Sequence, residues 1–589
     1  MKHRTSGRVL TAALAGFGFG MAGAYGAQAQ TTPAQTAATA QQLNPAEQTQ
    51  AAATRARARD VFSGAPPADC RPDLRASTLT FKLEGVDVHG LKGVPPGAVA
   101  PASEDLVGKT VTVAQVCEIA DRVSRILFSR GLLARVYVPG QTFQPEGAHV
   151  RIEVVEAHIV GVRYAPVGNV GPVQARVEGY LDHVRGTFNL DEIQRWLLLA
   201  NDIPGVRVSA ALHHSTAPIV NLDDAAGAID LDVTISRRAE DVVTAVQNTS
   251  SETLGPWSGI ARVDFNSFTA LGERTSLIGY TTLGSSEQQV FQVLEQARLG
   301  NSGLYVGGSL AYGRSAPGGV LEPLHLHSNS VVGAIEVNYP VVRLRRSSLT
   351  LGAGMDFIKQ KTDFPGGGIL NDDDLRVLWA RAQMDGVHEL SDSAAGRLVA
   401  TTQLSVQLRK GIDGLGSSHA GEPTLSRIQG QPDALVIRGD GEANLRYEPA
   451  GRGPGLAVGV HFMGQYADKP LLAYEELAIG NLTIGRGYDP DALSGDRVVG
   501  AEFKGQIGPL QLARDFRLAP YGFYDIVRVS NLDAGSVDTT VRSIGAGVEI
   551  RLPYRLRADV AWAKPLDKTF PAATARPPAR VLAQIIFAY

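Results

Sequence analysis

The sequence predicts a transmembrane β-barrel preceded by two small α/β domains and an N-terminal helix. Three observations predict it. The chain opens on an export signal, helix and strand patterns alternate up to about residue 236, and short alternating apolar runs then continue to Tyr589. Beyond residue 30 no run of about 20 apolar residues is free of charge. An exported chain of this kind can enter a membrane only as a closed barrel, which satisfies every backbone polar group without a helix.

Residues 1–29 read as a signal peptide. Lys2, His3, Arg4 and Arg8 form the charged region, Val9 to Tyr25 the apolar region, and Ala27-Gln28-Ala29 the small-residue cleavage site. Residues 30–75 hold a polar helix and a linker. Asn44-Pro45 is a helix start, with Glu47 in the first turn and Arg55, Arg57 and Arg59 in the last, as the helix dipole favours. SGAPPADCRPD follows as linker. With so little apolar face this helix is marginal on its own.

Residues 76–157 form the first module, read as β-α-β-β. Its helix carries Val113, Val116, Ile119, Ala120, Val123, Ile126 and Leu127 at helical spacing and stops at Gly131. Residues 158–236 repeat the pattern with two helical pieces, VQARVEGYLDHVRGT and NLDEIQRWLLLAND. Tandem modules of this size suit an interaction array better than a catalytic fold. The chain has only two cysteines, Cys70 and Cys117; an oxidising compartment lets them pair, and two buried reduced thiols are the alternative.

Residues 241–589 read as the barrel. RTSLIGYTTL, GLYVGGSLAYG, LAVGVHFMGQYA and GAGVEIRLPY are each near the length of a tilted membrane strand. In the last strand Val581, Ala583, Ile585, Phe587 and Tyr589 share one face, which in a barrel meets lipid. A soluble sandwich or propeller is the competing reading.

The stretch Ile484–Gly500, IGRGYDPDALSGDRVVG, interrupts this alternation with turn-forming and charged residues. Arg486-Gly487-Tyr488 resembles the Arg-Gly-Tyr signature of the outer-membrane transporters of two-partner secretion, the haemolysin and filamentous-haemagglutinin secretion proteins. In that family the signature lies at the tip of a loop folded back into the barrel. Phe523-Tyr524-Asp525-Ile526-Val527 resembles the family's Phe-x-Asp-x-Gly strand motif, with Val527 where Gly is usual. VQNTSSETLGPWSG, with Asn248 and Gly255, is similar to its first barrel strand. The resemblance covers essentially the whole mature chain.

The resemblance implies sixteen antiparallel strands, two POTRA domains and an N-terminal helix that plugs the lumen. It also implies a Cys70–Cys117 bond and a C-terminal assembly signal at Phe587 and Tyr589. Arg486, Gly487, Tyr488 and Asp525 would anchor the loop, with Phe523 and Asn248 in the barrel motifs. An arginine between glycines can reach a wall carboxylate through both forks, so an Arg486–Asp525 pair is expected; a polar loop contacting only water is the alternative.

The implied function is an outer-membrane pore of a Gram-negative cell, its POTRA domains periplasmic. It would recognise an unfolded partner exoprotein, a large β-helical adhesin or cytolysin, and export it without ATP. The outer-membrane assembly machinery would insert it into the bilayer. A barrel-assembly factor of the same superfamily and a diffusion porin are the alternatives.

Enzyme motifs are absent: there is no Walker loop, His-Glu-x-x-His or Gly-x-Ser-x-Gly. No cofactor or metal is implied. His325 and His327 share a strand face in LEPLHLHSN and could bind a metal, but two ligands are too few and an exposed loop flank is the better reading; Asn371 to Asp374 lacks the pattern of a calcium loop and reads as an extracellular turn. The net charge of −3 gives no reason to expect nucleic acid as a partner.

Overall fold

The computed structural model describes residues 43–46 and 67–589, except 92–93, 143–146, 187–188, 216–226, 251–253, 285–286, 452, 491 and 570–574. The signal peptide and most of the expected plug helix lie outside the described residues.

In the first module, strands β1 (Thr80–His89), β2 (Thr110–Thr112), β3 (Ala134–Tyr137) and β4 (Ala148–Glu156) form a sheet in the order β2-β1-β4-β3. The short β2 adds a strand to the expected β-α-β-β order. Helix α1 (Val113–Ser129) begins in a capping box: the Gln115 N–H donates to the Thr112 hydroxyl, and the Thr112 N–H donates to the Gln115 side chain. Val116, Ile119, Ala120, Val123 and Leu127 are buried against the sheet, so the periodicity has a core to serve.

The linker is laced to this module. Cys70 and Cys117 are bonded. Closing a loop of that length stabilises by about 4 kcal/mol in the chain-entropy model. Asp69 bridges to Tyr137 at the open edge of β3, and Asp121 accepts from the Ala68 N–H and pairs with Arg75, each at 2.8 Å. Burial works against the Asp121 carboxylate, but Arg75 and Ala68 outweigh it and hold its pKa below the usual range.

The second module contains β5 (His158–Val167), α2 (Gln174–Leu181), α3 (Leu190–Asn201), β6 (Val206–His214) and β7 (Ala228–Arg237), with sheet order β5-β7-β6. Ile193, Leu197 and Leu198 of α3 are buried with Tyr180, Leu231 and Val233. This module is docked on one rim of the barrel. Asp202 receives both forks of Arg343 at 2.6 and 2.7 Å, and Arg176 donates to the carbonyls of Ala270 and Gly300. Arg195 donates to those of Pro340 and Val341.

The barrel is closed and has sixteen antiparallel strands. They are β8 (Glu240–Gln247), β9 (Ser258–Asn266), β10 (Arg274–Thr282), β11 (Gln288–Arg298), β12 (Tyr305–Ser315), β13 (His327–Arg343), β14 (Ser347–Asp363), β15 (Ile369–Ser393), β16 (Gly396–Gly411), β17 (Leu435–Pro449) and β18 (Leu456–Ala467). After the short hairpin β19 (Leu477–Ile479) and β20 (Leu493–Gly495) come β21 (Arg497–Ile507) with its continuation β22 (Leu510–Ala513), β23 (Phe516–Ser530), β24 (Thr539–Arg551), β25 (Leu556–Pro565) and β26 (Arg580–Ala588). β26 pairs with β8 to close the wall.

Side chains alternate as a barrel in lipid requires. Val331, Leu351, Phe462, Phe503, Trp562, Val581 and Ile585 are exposed on the outer face, while Arg262, Gln292, Gln360, Arg409 and Glu502 are buried on the inner one. No helix among the described residues is long and apolar enough to cross a membrane.

Two sequence expectations need correction. Asn371 to Asp374 is not a turn but part of β15, where Asp373 faces inward and accepts the Ser426 N–H at 2.9 Å. His325 and His327 do not share a strand face; His325 lies exposed before β13 with a left-handed φ of 46°, on the loop flank preferred from the sequence, and only His327 is in the strand.

Candidate functional site

The lumen holds a loop, residues 468–496, that runs back from the rim distant from the modules. Its hairpin β19–β20 brings Ile479, Ile484, Tyr488 and Leu493 together with the wall residues Met463, Val498, Val527 and Val541. Burying these side chains favours the folded-in loop by roughly 1.5–3 kcal/mol each. Val527, where the sequence resemblance leads one to expect glycine, is fully buried in this cluster. Space comes from the residue directly across the ladder, which is Gly500.

At the tip, Arg486 is buried, but it does not grip Asp525 with its side chain as expected. Its backbone N–H donates to Asp525 Oδ2 at 2.7 Å, while its guanidinium pairs with Glu502 at 2.5 Å. The reason lies in the register. Glu502 on β21 and Asp525 on β23 are directly opposite each other, so two inward carboxylates share the site. Like charges in such a pair repel, and a cation resolves the repulsion.

Asp525 Oδ2 accepts from the Arg486 N–H and from the Ser543 hydroxyl, each at 2.7 Å, while the guanidinium goes to Glu502. Phe523 lies under the guanidinium, 4.6 Å from ring centroid to Cζ, and adds a cation–π contact. Gly487 extends the chain of bonds by donating to Ser543 Oγ at 3.2 Å, and the Tyr488 hydroxyl accepts from the Asp567 N–H and sits 2.9 Å from the Arg542 carbonyl.

Gly487 is required here for space. A Cβ at that position would come within 2.7 Å of Pro565 N and 2.9 Å of Lys564 C, which are backbone atoms that cannot step aside. Gly487→Ala is therefore expected to push the tip off the wall without unfolding the barrel. Limited proteolysis should cut the loop in the variant and spare it in the parent; equal protection of both would refute the account.

The base of the loop carries two further anchors, built on Glu475 with Arg409 and on Glu476 with Arg427, that sequence reasoning missed. Glu475 is held by Arg409 at 2.7 and 2.9 Å, and Arg409 also pairs with Asp356 at 2.9 Å. Its neighbour Glu476 pairs with Arg427, 2.6 Å away, on the segment 412–434 that connects β16 to β17. Arg427 also binds Asp496 at 2.6 and 3.0 Å and Asp533 at 2.5 and 3.1 Å. One arginine thus joins both ends of the folded-in loop to two other connections on the same rim. The available sequence signal was the inward parity of Glu502 and Arg409 on their strands; Arg427, on an irregular segment, gave none.

Asn248 lies at the seam where the first and last strands meet. Its side chain donates to the Val581 carbonyl at 2.9 Å and accepts from the Ala583 N–H at 2.6 Å, and so adds a rung to the β8–β26 ladder. Asn481 of the lumen loop donates to the Thr249 carbonyl beside it at 3.1 Å. Phe587 and Tyr589 lie at the other end of this seam, where Tyr589 exchanges backbone bonds with Val242.

The start of the expected plug helix is also inside the barrel. Leu43 and Ala46 are buried among Val243, Ile260, Ile278 and Val290, Asn44 accepts from Gln292 at 3.1 Å, and the Ala46 N–H donates to the same side chain at 3.0 Å.

Residues 227–552, more than half of the chain, match the family described as haemolysin secretion/activation protein ShlB/FhaC/HecB, and residues 81–157 match the ShlB-type POTRA domain. No curated protein sequence matches significantly. Among solved structures the chain resembles CdiB from Escherichia coli, with a TM-score of 0.62 and 13% identity over 93% of this chain and 98% of that one. CdiB from Acinetobacter baumannii gives 0.60 and 12% over 95% and 99%. BamA from Haemophilus ducreyi lacking POTRA domains 1–3 gives 0.51 and 12% over 87% and 100%. At these identities the structural likeness establishes the fold.

Proposed function

The chain belongs to the haemolysin secretion/activation family of two-partner secretion transporters, and from that premise we propose that it exports one unfolded partner exoprotein from the periplasm to the cell surface. The observation that carries this reading is the joint arrangement of an anchored lumen loop and a POTRA module docked on the opposite rim. In this reading the loop closes the pore from within and the module at its entrance binds the incoming peptide. The modules face the periplasm, where an unfolded chain can add a strand to an open sheet edge.

Export proceeds without ATP. The N-terminal helix expected from Asn44 plugs the resting lumen, and the partner is a large β-helical adhesin or cytolysin. Phe587 and Tyr589 present the closing strand to the assembly machinery. Arg486, Gly487, Tyr488, Asp525 and Phe523 hold the loop and act in gating, not in catalysis.

The test is secretion of a candidate partner by cells carrying the intact protein or a form lacking residues 76–236. Export by the intact protein alone, with both forms present in the outer membrane, is the expected result. Partner export by both forms, with other barrels depleted by the deletion, would instead indicate an assembly factor.

A further inference from the structure

On the module-side rim the wall is uneven. β14 begins at Ser347, whose partner on β15 is Gly386, but β15 runs on to Ser393 in pairing with β16. The far side of this overhang is covered, because β16 pairs with β17 as far as Gly396 and Pro449. On the near side the Val387 N–H still donates to the Arg346 carbonyl. Beyond that bond, among the described residues, β15 has no strand beside it, and every residue from Val387 to Ala395 is exposed.

Successive residues of an antiparallel strand turn their backbone groups to opposite sides. Since the Val387 N–H points away from β16, so does that of Glu389, two residues on in an unbroken ladder. The irregularity comes only after it, between Glu389 and Ser391. Glu389 therefore offers an unused backbone edge to the space beside the β13–β14 turn.

Free edges invite pairing and are normally covered or blunted. Here the bulge and the charges of Glu389 and Asp392 deter the flat edge of a second folded copy. An unfolded segment can bend to follow such an edge, because strand addition draws on backbone bonds and needs no particular sequence.

The overhang also continues the surface on which the second module is docked. Arg195 donates to the carbonyls of Pro340 and Val341, and Arg343 holds Asp202, all at the end of β13. Only β14 separates that end from β15. A chain passing from the module to the lumen meets the overhang on its way.

We propose that the free edge of β15 around Glu389 is a strand-addition site for the exported polypeptide, which pairs there in extended form between the second module and the lumen. This rests on the transport reading above and deepens it by naming a contact on the barrel itself. A few backbone bonds, each worth little net in water, align the chain without trapping it.

The site is tested on the full-length protein in detergent with the photoreactive substitution Leu390→p-benzoylphenylalanine, at an exposed side chain next to Glu389. The probe is a fluorescent decapeptide of alternating threonine and valine, and the control is the same peptide with proline at every valine. Glu389→Pro, added to the photoreactive protein, removes the outward N–H and leaves the β15–β16 bonds in place; Glu389→Ala keeps the N–H and removes only the charge. Retention of a folded barrel is checked by heat-shifted mobility on gels. The expected result is labelling of the photoreactive parent by the threonine–valine peptide, lowered about fivefold or more by Glu389→Pro and retained in Glu389→Ala, with none by the proline peptide. In cells Glu389→Pro should also slow export of the partner.

Equal labelling with and without Glu389→Pro, equal labelling by the proline peptide, no labelling of the parent, or crosslinks only between two copies of the chain overturns the site. Lost labelling with unchanged export overturns its role in entry. The labelling needs no secretion, so failure of the parent to export any partner would count against the transport reading alone.

Discussion

Arg486→Ala is expected to abolish export of the partner while the barrel still reaches the outer membrane. The guanidinium stands at two wall carboxylates, Glu502 and Asp525, that are directly opposed and buried. Removing it leaves both charges buried and unbalanced, and breaking a buried pair in this way costs about 3–5 kcal/mol. The wall need not unfold to relieve this cost. It is enough that the loop leaves its seat and water reaches the carboxylates, so the effect falls on the loop rather than on the barrel.

Glu502→Gln should be milder. It removes one of the two opposed charges, keeps an acceptor for Arg486, and leaves the Arg486 N–H bond to Asp525 in place. Combining the two substitutions should then restore part of what Arg486→Ala loses, a non-additivity expected of groups in one network. Export rates of the parent, both single variants and the double variant check this. A double variant no better than Arg486→Ala would show that the repulsion between Glu502 and Asp525 is not what the arginine answers.

The barrel and modules were legible in the sequence because their signals are periodic. α1 shows its buried stripe at helical spacing, and β26 shows Val581 and Ile585 on its lipid side. The same physics explains the misreading of Asn371 to Asp374. A barrel strand may be polar wherever it faces the lumen, and a strand end that is also flanked by a folded-back connection looks like a turn in one dimension. Arg486 and Asp525 could be picked out by motif, but their bonding could not. Which carboxylate receives the guanidinium depends on the register of β21 against β23, which puts Glu502 opposite Asp525, and on where the loop sets the Arg486 backbone, whose N–H goes to Asp525. The segment 412–434 was the least legible part. It has no periodicity of its own, and its place is set by long-range bonds such as the Asp372 N–H to the Thr424 carbonyl at 2.7 Å.

Arg427→Gln should loosen the base of the lumen loop as strongly as Arg486→Ala loosens its tip. Three carboxylates converge on this one side chain, and Glu476 and Asp496 are almost fully buried. Glutamine cannot neutralise them, so the substitution leaves buried negative charges facing one another at a cost of about 3–5 kcal/mol. Asp496 is the pivot of the cluster, since it also accepts the N–H groups of Leu471 and Leu532, each at 2.7 Å. Asp496→Asn should therefore resemble Arg427→Gln. Asp533 is partly exposed, and Asp533→Asn should do little, as expected for a hydrated partner. The readout is single-channel conductance of the purified protein together with protease sensitivity of residues 412–434. Frequent openings and new cleavage in Arg427→Gln and Asp496→Asn, with Asp533→Asn close to the parent, are the expected pattern. If Arg427→Gln conducts and resists protease like the parent, the loop is held by its tip and by Arg409 alone, and the Arg427 cluster has no part in gating.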